Sequence, residues 1–252
     1  MWRYAVGAIY INDQKYNADL VIFDKDGTLL DFGKTWIKVV RGLIVALEKN
    51  ADKKGKLKQK IEAALGISVD TGEVDPFGPL AMGTFTECDT LISYCLYSSG
   101  IRWDRARDIV HSTEQEVFAG GIREHNVVPA DGSLGLLKRL KQRGIRVAVA
   151  TNDNVTDTTR DMESIGVLSY IDLIVGADRV DKTKPDPEMV YKVLDELGID
   201  AGKTILVGDM LVDTLMGKNA GVMLTVGVCG LLPRDVLEEY ADVVITSLNE
   251  IQ

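Results

Sequence analysis

Leu20-Val21-Ile22-Phe23-Asp24-Lys25-Asp26-Gly27-Thr28 passes from four apolar residues straight into two carboxylates and a glycine. A short run that is apolar throughout, without alternation, reads as a strand buried on both faces, as in a parallel sheet covered by helices. Asp24 and Asp26 stand at the end of that strand. Charged side chains almost never stay buried without partners, so something must compensate two carboxylates one residue apart, and a metal ion and a phosphoryl group would do so.

Working outward, the chain from residue 130 alternates helix and strand. Helical periodicity over Ser133–Arg143 is followed by Gly144 and the run Arg146–Ala150. Val155–Ile165 reads as a helix closed by Gly166, ahead of a strand at Ile171–Val175. Pro187–Leu197 stops at Gly198 before Thr204–Val207, and Leu211–Ala220 meets Gly221 before Val222–Val226. A glycine after each helix suits a left-handed C-cap, because glycine takes positive φ at no steric cost. The pattern predicts an α/β fold, a doubly wound, Rossmann-like parallel sheet with Leu20–Phe23 among its strands.

Between the first strand and this repeat the pattern changes. Thr35–Lys49, Lys56–Leu65, Phe85–Ser98 and Trp103–Phe118 all read as helices, interrupted by the proline- and glycine-rich stretch 72–79. The division that follows is an α/β core over 1–33 and 130–252 and an inserted all-helical cap over 34–129. Because ligands of open α/β sheets bind at the carboxyl ends of strands, the insert is expected to cover that crevice as a lid. Near the N-terminus, Ala5–Ile11 reads as a strand, Asn12-Asp13-Gln14 as a turn and Lys15–Asn17 as the lead into the next strand, together an extra edge hairpin.

Composition limits the alternatives. The 252 residues carry a net charge of −9, against a general nucleic-acid binder. The basic run over residues 53–60 reads as a solvated loop and helix start. Cys88, Cys95 and Cys229 are too few and too scattered for a disulfide framework or a zinc site. Cys88 and Cys95 lie seven residues apart and are expected to share a helix face as small hydrophobes. His111 and His125 fall on no metal-ligand spacing. No apolar segment is long enough to span a bilayer, and Met1-Trp2-Arg3-Tyr4 lacks the plan of a signal peptide, so a cytoplasmic protein without a membrane partner is expected.

Polar residues gather where strands end. Asp24 and Asp26 follow the first strand, Thr151-Asn152-Asp153 the second, the stretch 182–187 comes after the third, and Gly208-Asp209 follow the fourth, with Asp213 one helical turn on. Singly each has a plain explanation: Asn152 or Asp153 could cap the next helix, and Pro185 and Pro187 could shape a turn. Together they bring at least three carboxylates to one edge of one sheet, which calls for a partner.

In order along the chain, Asp24-Lys25-Asp26-Gly27-Thr28, Thr151-Asn152, Lys184-Pro185 and Gly208-Asp209 with Asp213 resemble the four motifs of the haloacid-dehalogenase-like hydrolases. The likeness is closest to the phosphoglycolate-phosphatase-like group, whose helical cap is inserted after the first motif. The resemblance implies Asp24 as the nucleophile that forms an aspartyl-phosphate and Asp26 as the general acid and base. It implies Mg²⁺ held by Asp24, Asp209 and the backbone carbonyl of Asp26, with Asp213 acting mainly through water. Lys184, Thr151, Asn152 and Gly27 would hold the phosphoryl oxygens. In that family a dehalogenase lacks the second aspartate and a mutase usually has valine where Thr28 stands, so the expected activity is a Mg²⁺-dependent phosphatase of a small phosphorylated metabolite. Phosphoglycolate-like compounds, sugar phosphates and nucleotide monophosphates are the candidate substrates.

Two positions depart from the family pattern. Lys25 replaces a residue that is commonly apolar, and its side chain is expected at the surface beside the site or, alternatively, as a charge that adjusts substrate choice. Met210 follows Asp209 where a small hydroxyl residue is frequent. Phe32, Trp36, Phe77 and Arg102 are the candidates for substrate contact or, failing that, for packing. A phosphoryl-transfer mutase and a binding module that kept the fold without turnover are the alternative functions; oligomeric state is left open.

Overall fold

A computed structural model describes residues 7–123 and 125–252, and the described residues fall into two compact units, one of residues up to 32 and from 128 onward, the other between 33 and 127. The first begins with β1 (Gly7–Ile11) and β2 (Gln14–Ala18), paired antiparallel. Asn12 and Asp13 turn the hairpin with φ of 49° and 61°, the paired positive values that match the twist of two-residue hairpins. The hairpin is a separate two-stranded sheet and not an edge of the main one. Tyr10 exchanges backbone hydrogen bonds with Gln252. Ala5 and Val6, expected in the first strand, lie outside the described residues. β3 (Leu20–Phe23) follows, buried at every position.

The helical unit holds α1 (Phe32–Asn50), α2 (Lys58–Leu65), α3 (Pro79–Met82), α4 (Phe85–Tyr97) and α5 (Trp103–Ala119). Val40, Leu43, Ile44 and Leu47 form one stripe of α1 and bury against Ile61 and Leu65 of α2 and Leu96 of α4. Cys95 is buried in the same core and Cys88 packs against it. α4 opens with a capping box: the Thr84 hydroxyl accepts from the Glu87 amide while the Glu87 carboxylate accepts from the Thr84 amide. In the basic stretch, Glu48 ties the backbone down by accepting from the amides of Gly55, Leu57 and Lys58. Lys58 pairs with Asp70 and Lys60 donates to Ser98 and Ser99, as a solvated loop and helix start should.

Back in the first unit, the chain runs through α6 (Ser133–Gln142), β4 (Arg146–Ala150), α7 (Val155–Ser164), β5 (Leu173–Val175) and α8 (Glu188–Leu197). It continues through β6 (Thr204–Gly208), α9 (Leu211–Ala220), β7 (Leu224–Val228), α10 (Arg234–Glu238) and β8 (Val243–Ile245). All pairings among β3–β8 are parallel, in the order β5-β4-β3-β6-β7-β8. Leu20, Ile22, Ala148, Leu206, Met189 and Val193 form part of the core between sheet and helices. The glycines that close α6, α7, α8 and α9 (Gly144, Gly166, Gly198 and Gly221) all have positive φ. β7 starts two residues later than expected, because the Met223 amide turns to the carbonyls of Ala201 and Thr204. Among the described residues no helix is long and apolar enough to cross a membrane.

Candidate active site

The strand order reverses beside β3. From β3 the sheet grows through β4 to β5 and then, on the other side, through β6, β7 and β8, and a crevice opens outside the carboxyl ends of strands at such a reversal. Phe23 lies opposite Val207, and the Asp24 amide donates to the Val207 carbonyl at 2.9 Å. Asp24 and Asp209 therefore leave neighbouring strands side by side.

Asp213 joins them from the first turn of α9, and carboxylate oxygens of the three lie within 4.8 Å of one another. Lys184 Nζ sits between two of them, 2.5 Å from Asp24 Oδ1 and 2.7 Å from Asp213 Oδ1. The other oxygen of Asp213 accepts from the Met210 amide at 3.0 Å, so both of its oxygens are engaged. Asp209 is fully buried; its Oδ1 accepts from the Thr28 hydroxyl at 3.1 Å, and its Oδ2 has no hydrogen-bond partner. A buried carboxylate oxygen without a donor beside two more carboxylates is a set of hard oxygen donors suited to a small divalent cation.

Gly27 makes this approach sterically feasible. Its φ is +92°, and a Cβ there would stand 2.1 Å from Asp209 Oδ2. Its amide donates to the Leu30 carbonyl at 2.8 Å, so what this glycine supplies here is room for Asp209. Thr151 is buried at the end of β4, where its hydroxyl accepts from the Asp153 amide, and Asn152 follows it half-buried. Neither Asn152 nor Asp153 caps α7; Asn154 does, accepting from the Asp157 amide.

Burial drives the electrostatics. Asp24 is pushed up to about 6 by burial and the nearby Asp213 charge, against the opposing pull of Lys184. Asp209 is raised well above the carboxylate range by burial and by the charges of Asp24 and Asp213. Burial alone would lower Lys184, but the charges of Asp213 and Asp24 outweigh it and hold the ammonium above the usual lysine range. With one lysine beside three carboxylates, burial and mutual repulsion raise Asp24 and Asp209 together, as at a site short of positive charge.

Asp26 is engaged elsewhere. Its Oδ2 lies 2.8 Å from Lys25 Nζ, and Lys25 is fully buried, also reaching Asp153 Oδ2 at 2.9 Å and Asp161 Oδ2 at 2.8 Å. The expectation of a surface position for Lys25 is corrected: its ammonium is held inside by three carboxylates. The candidate substrate contacts also divide. Phe32 and Trp36 are buried, Phe77 is exposed, and Arg102 is exposed and paired with Asp104. Arg123, which no sequence pattern singled out, is buried with its guanidinium 5.3 Å from the Trp36 ring and 5.2 Å from that of Phe85.

The family model for haloacid dehalogenase-like hydrolases matches residues 18–221, the span that holds every residue of this arrangement. The chain belongs to that family. It is 30% identical over 234 residues to the probable phosphatase IndB of Dickeya dadantii, covering 92% of this chain and 91% of that one. It is 31% identical to a phosphoglycolate phosphatase of Rhodospirillum rubrum, over 82% of this chain and 78% of the relative. The structure of a predicted phosphoglycolate phosphatase from Haemophilus somnus superposes with a TM-score of 0.69 at 15% identity, over 92% of this chain and 95% of the other, a likeness of fold. Within the family the chain groups with the phosphoglycolate-phosphatase-like members and is an enzyme of the phosphatase type.

Proposed function

We propose that the chain is a Mg²⁺-dependent phosphatase that hydrolyses a small phosphorylated metabolite through an aspartyl-phosphate on Asp24. The observation that carries this reading is the cluster of Asp24, Asp209 and Asp213 around Lys184, with Asp209 Oδ2 buried and unsatisfied. Asp24 and Asp209 would hold the ion through carboxylate oxygens and Asp26 through its backbone carbonyl. Asp213, with both oxygens engaged, would act through water. When bound, the ion would screen the Asp24 charge from an anionic substrate and polarise the phosphoryl oxygens.

The residues then divide the chemistry. An Asp24 oxygen attacks phosphorus as the bond to the leaving oxygen breaks, and Asp26, entering as the acid, gives that oxygen its proton. Water next attacks the aspartyl-phosphate, its proton returns to Asp26, the bond to Asp24 breaks and inorganic phosphate leaves. One ester bond and one water are consumed, and both aspartates end as they began. Lys184 and the Thr151 hydroxyl are assigned to the phosphoryl oxygens with Asn152, a positioning and charge-stabilising role. The substrate class is a phosphoglycolate-like compound, by analogy with the Rhodospirillum rubrum relative, or else a sugar phosphate or a nucleotide monophosphate.

Asp24→Asn tests the assignment. Phosphate release from 4-nitrophenyl phosphate with Mg²⁺ is expected to vanish in a variant that melts cooperatively, and chelation should silence the natural enzyme until Mg²⁺ is restored. Unchanged turnover in the variant refutes the role of Asp24, and full activity in chelator refutes the metal. A panel of metabolite phosphates, scored for release against intramolecular transfer, then separates hydrolysis from mutase chemistry.

A further inference from the structure

Lys25 is a cation sealed inside the α/β unit, and the chemistry assigned above to Asp24, Asp26 and Lys184 makes no use of it. An ammonium has three N–H donors, and three carboxylate oxygens surround this one, of Asp26 at 2.8 Å, Asp153 at 2.9 Å and Asp161 at 2.8 Å. Two of the partners stand on firm ground. Asp153 lies in the turn after β4, its amide held by the Thr151 hydroxyl, and Asp161 is buried in α7. The third, Asp26, sits in the short loop after β3 with its side chain 18% exposed. That loop is itself pinned through the Lys25 carbonyl, which accepts from the amides of Leu29 and Leu30. Lys25 thus links a partly exposed carboxylate at the edge of the site to two buried carboxylates of the β4–α7 segment.

We propose that Lys25 is the positioning residue for Asp26, holding Oδ2 on a tripod anchored by Asp153 and Asp161 so that Oδ1 is the oxygen presented to the leaving group. The proposal rests on the acid role given to Asp26 above. A partly exposed carboxylate has several rotamers open to it, and a proton donor must stay within hydrogen-bond reach of one atom. The tripod removes that freedom without contacting substrate. Asp161 therefore affects a reaction in which it takes no direct part.

The test is a leaving-group series. kcat/KM reports the first half-reaction, in which only a poor leaving group needs a proton. Phenyl phosphate and 4-nitrophenyl phosphate are compared for the natural enzyme, Asp26→Asn, Lys25→Met and Asp161→Asn, each with a melting curve. General acid catalysis contributes about 10²–10⁴-fold, so Asp26→Asn should lose far more on phenyl than on 4-nitrophenyl phosphate. Lys25→Met should reproduce the pattern, with a loss on phenyl phosphate roughly tenfold greater than on 4-nitrophenyl phosphate, and Asp161→Asn should show it at about threefold. Equal losses on both substrates in Lys25→Met and Asp161→Asn, with the discrimination present in Asp26→Asn, overturn the positioning role alone. No discrimination in Asp26→Asn overturns the acid role and the proposal with it. If Lys25→Met does not fold, Asp161→Asn decides between the two outcomes.

Discussion

Gly27→Ala isolates the closest approach in the site. The substitution does two separable things. It places a side chain at φ +92°, which costs roughly 1–2 kcal/mol for an L-residue in the left-handed region. It also puts a Cβ 2.1 Å from Asp209 Oδ2, where ordinary contact begins near 3.4 Å. Asp209 is fully buried and its other oxygen is held by Thr28, so relief requires a shift of about 1 Å in the carboxylate or the loop, a displacement worth about 10²-fold in rate when it misplaces reacting groups. Gly166→Ala is the control, because that glycine has φ +73° with nothing within 4 Å of the added carbon. Both variants should melt about 2–8 °C lower, at about 2–4 °C per kcal/mol for a chain of this size. Only Gly27→Ala should lose activity, by about 10²-fold in kcat/KM on 4-nitrophenyl phosphate at saturating Mg²⁺. A Gly27→Ala enzyme with natural kcat/KM would refute the argument that Asp209 cannot move.

Two further outcomes follow from buried hydrogen bonds. Thr28→Val keeps the shape and removes the donor to Asp209 Oδ1, and loss of a group that orients a metal ligand typically costs about 10–100-fold in metal affinity. The Mg²⁺ concentration for half-maximal activity should rise by at least about tenfold, and an unchanged value would show that Thr28 does not hold Asp209 in place. In the helical unit, Glu114 is pushed up to about 9 by burial and by its hydrogen bond and charge interaction with Asp89. The unfolded chain releases that proton near the ordinary 4.5, so the folded chain binds more protons in between, and this contribution to stability falls as pH rises from about 4.5 through about 9. Glu114→Gln has no proton to lose. Its melting temperature relative to the natural chain should be higher at pH 8 than at pH 5, and an equal offset at both would refute the shift.

The parts legible from sequence were those written locally. β3 and β6 announced themselves as uninterrupted apolar runs, and α6 to α9 by periodicity ending at a glycine. The carboxylates of Asp24, Asp209 and Asp213 are legible as a group because the first two directly follow strands that a parallel sheet aligns, and the third comes one helical turn after Asp209. What escaped depends on distant partners or on short elements. β8 is three residues long and preceded by Asp242, so no pattern marks it. Arg123 is buried by rings 87 and 38 residues away along the chain, at Trp36 and Phe85. The burial of Lys25 escapes local reading, because nothing near it in sequence foretells that Asp153 and Asp161 will close around it.

Among the described residues, two buried lysines meet acidic clusters, and the clusters differ in how fully the lysine compensates them. Lys25 is wholly buried and matches three donors to three carboxylates. Lys184 reaches Asp24 and Asp213 and leaves Asp209 Oδ2 in the interior with no donor. An ionised carboxylate in that state carries an uncompensated desolvation penalty of several kcal/mol, which a proton or a metal ion can relieve. The raised values of Asp209 and of Asp24, about 6, describe the first form of relief. The support for a divalent ion at the cluster is therefore the unsatisfied Asp209 Oδ2 beside two more carboxylates, and it rests on the difference between a lysine with three carboxylate partners and a lysine with two.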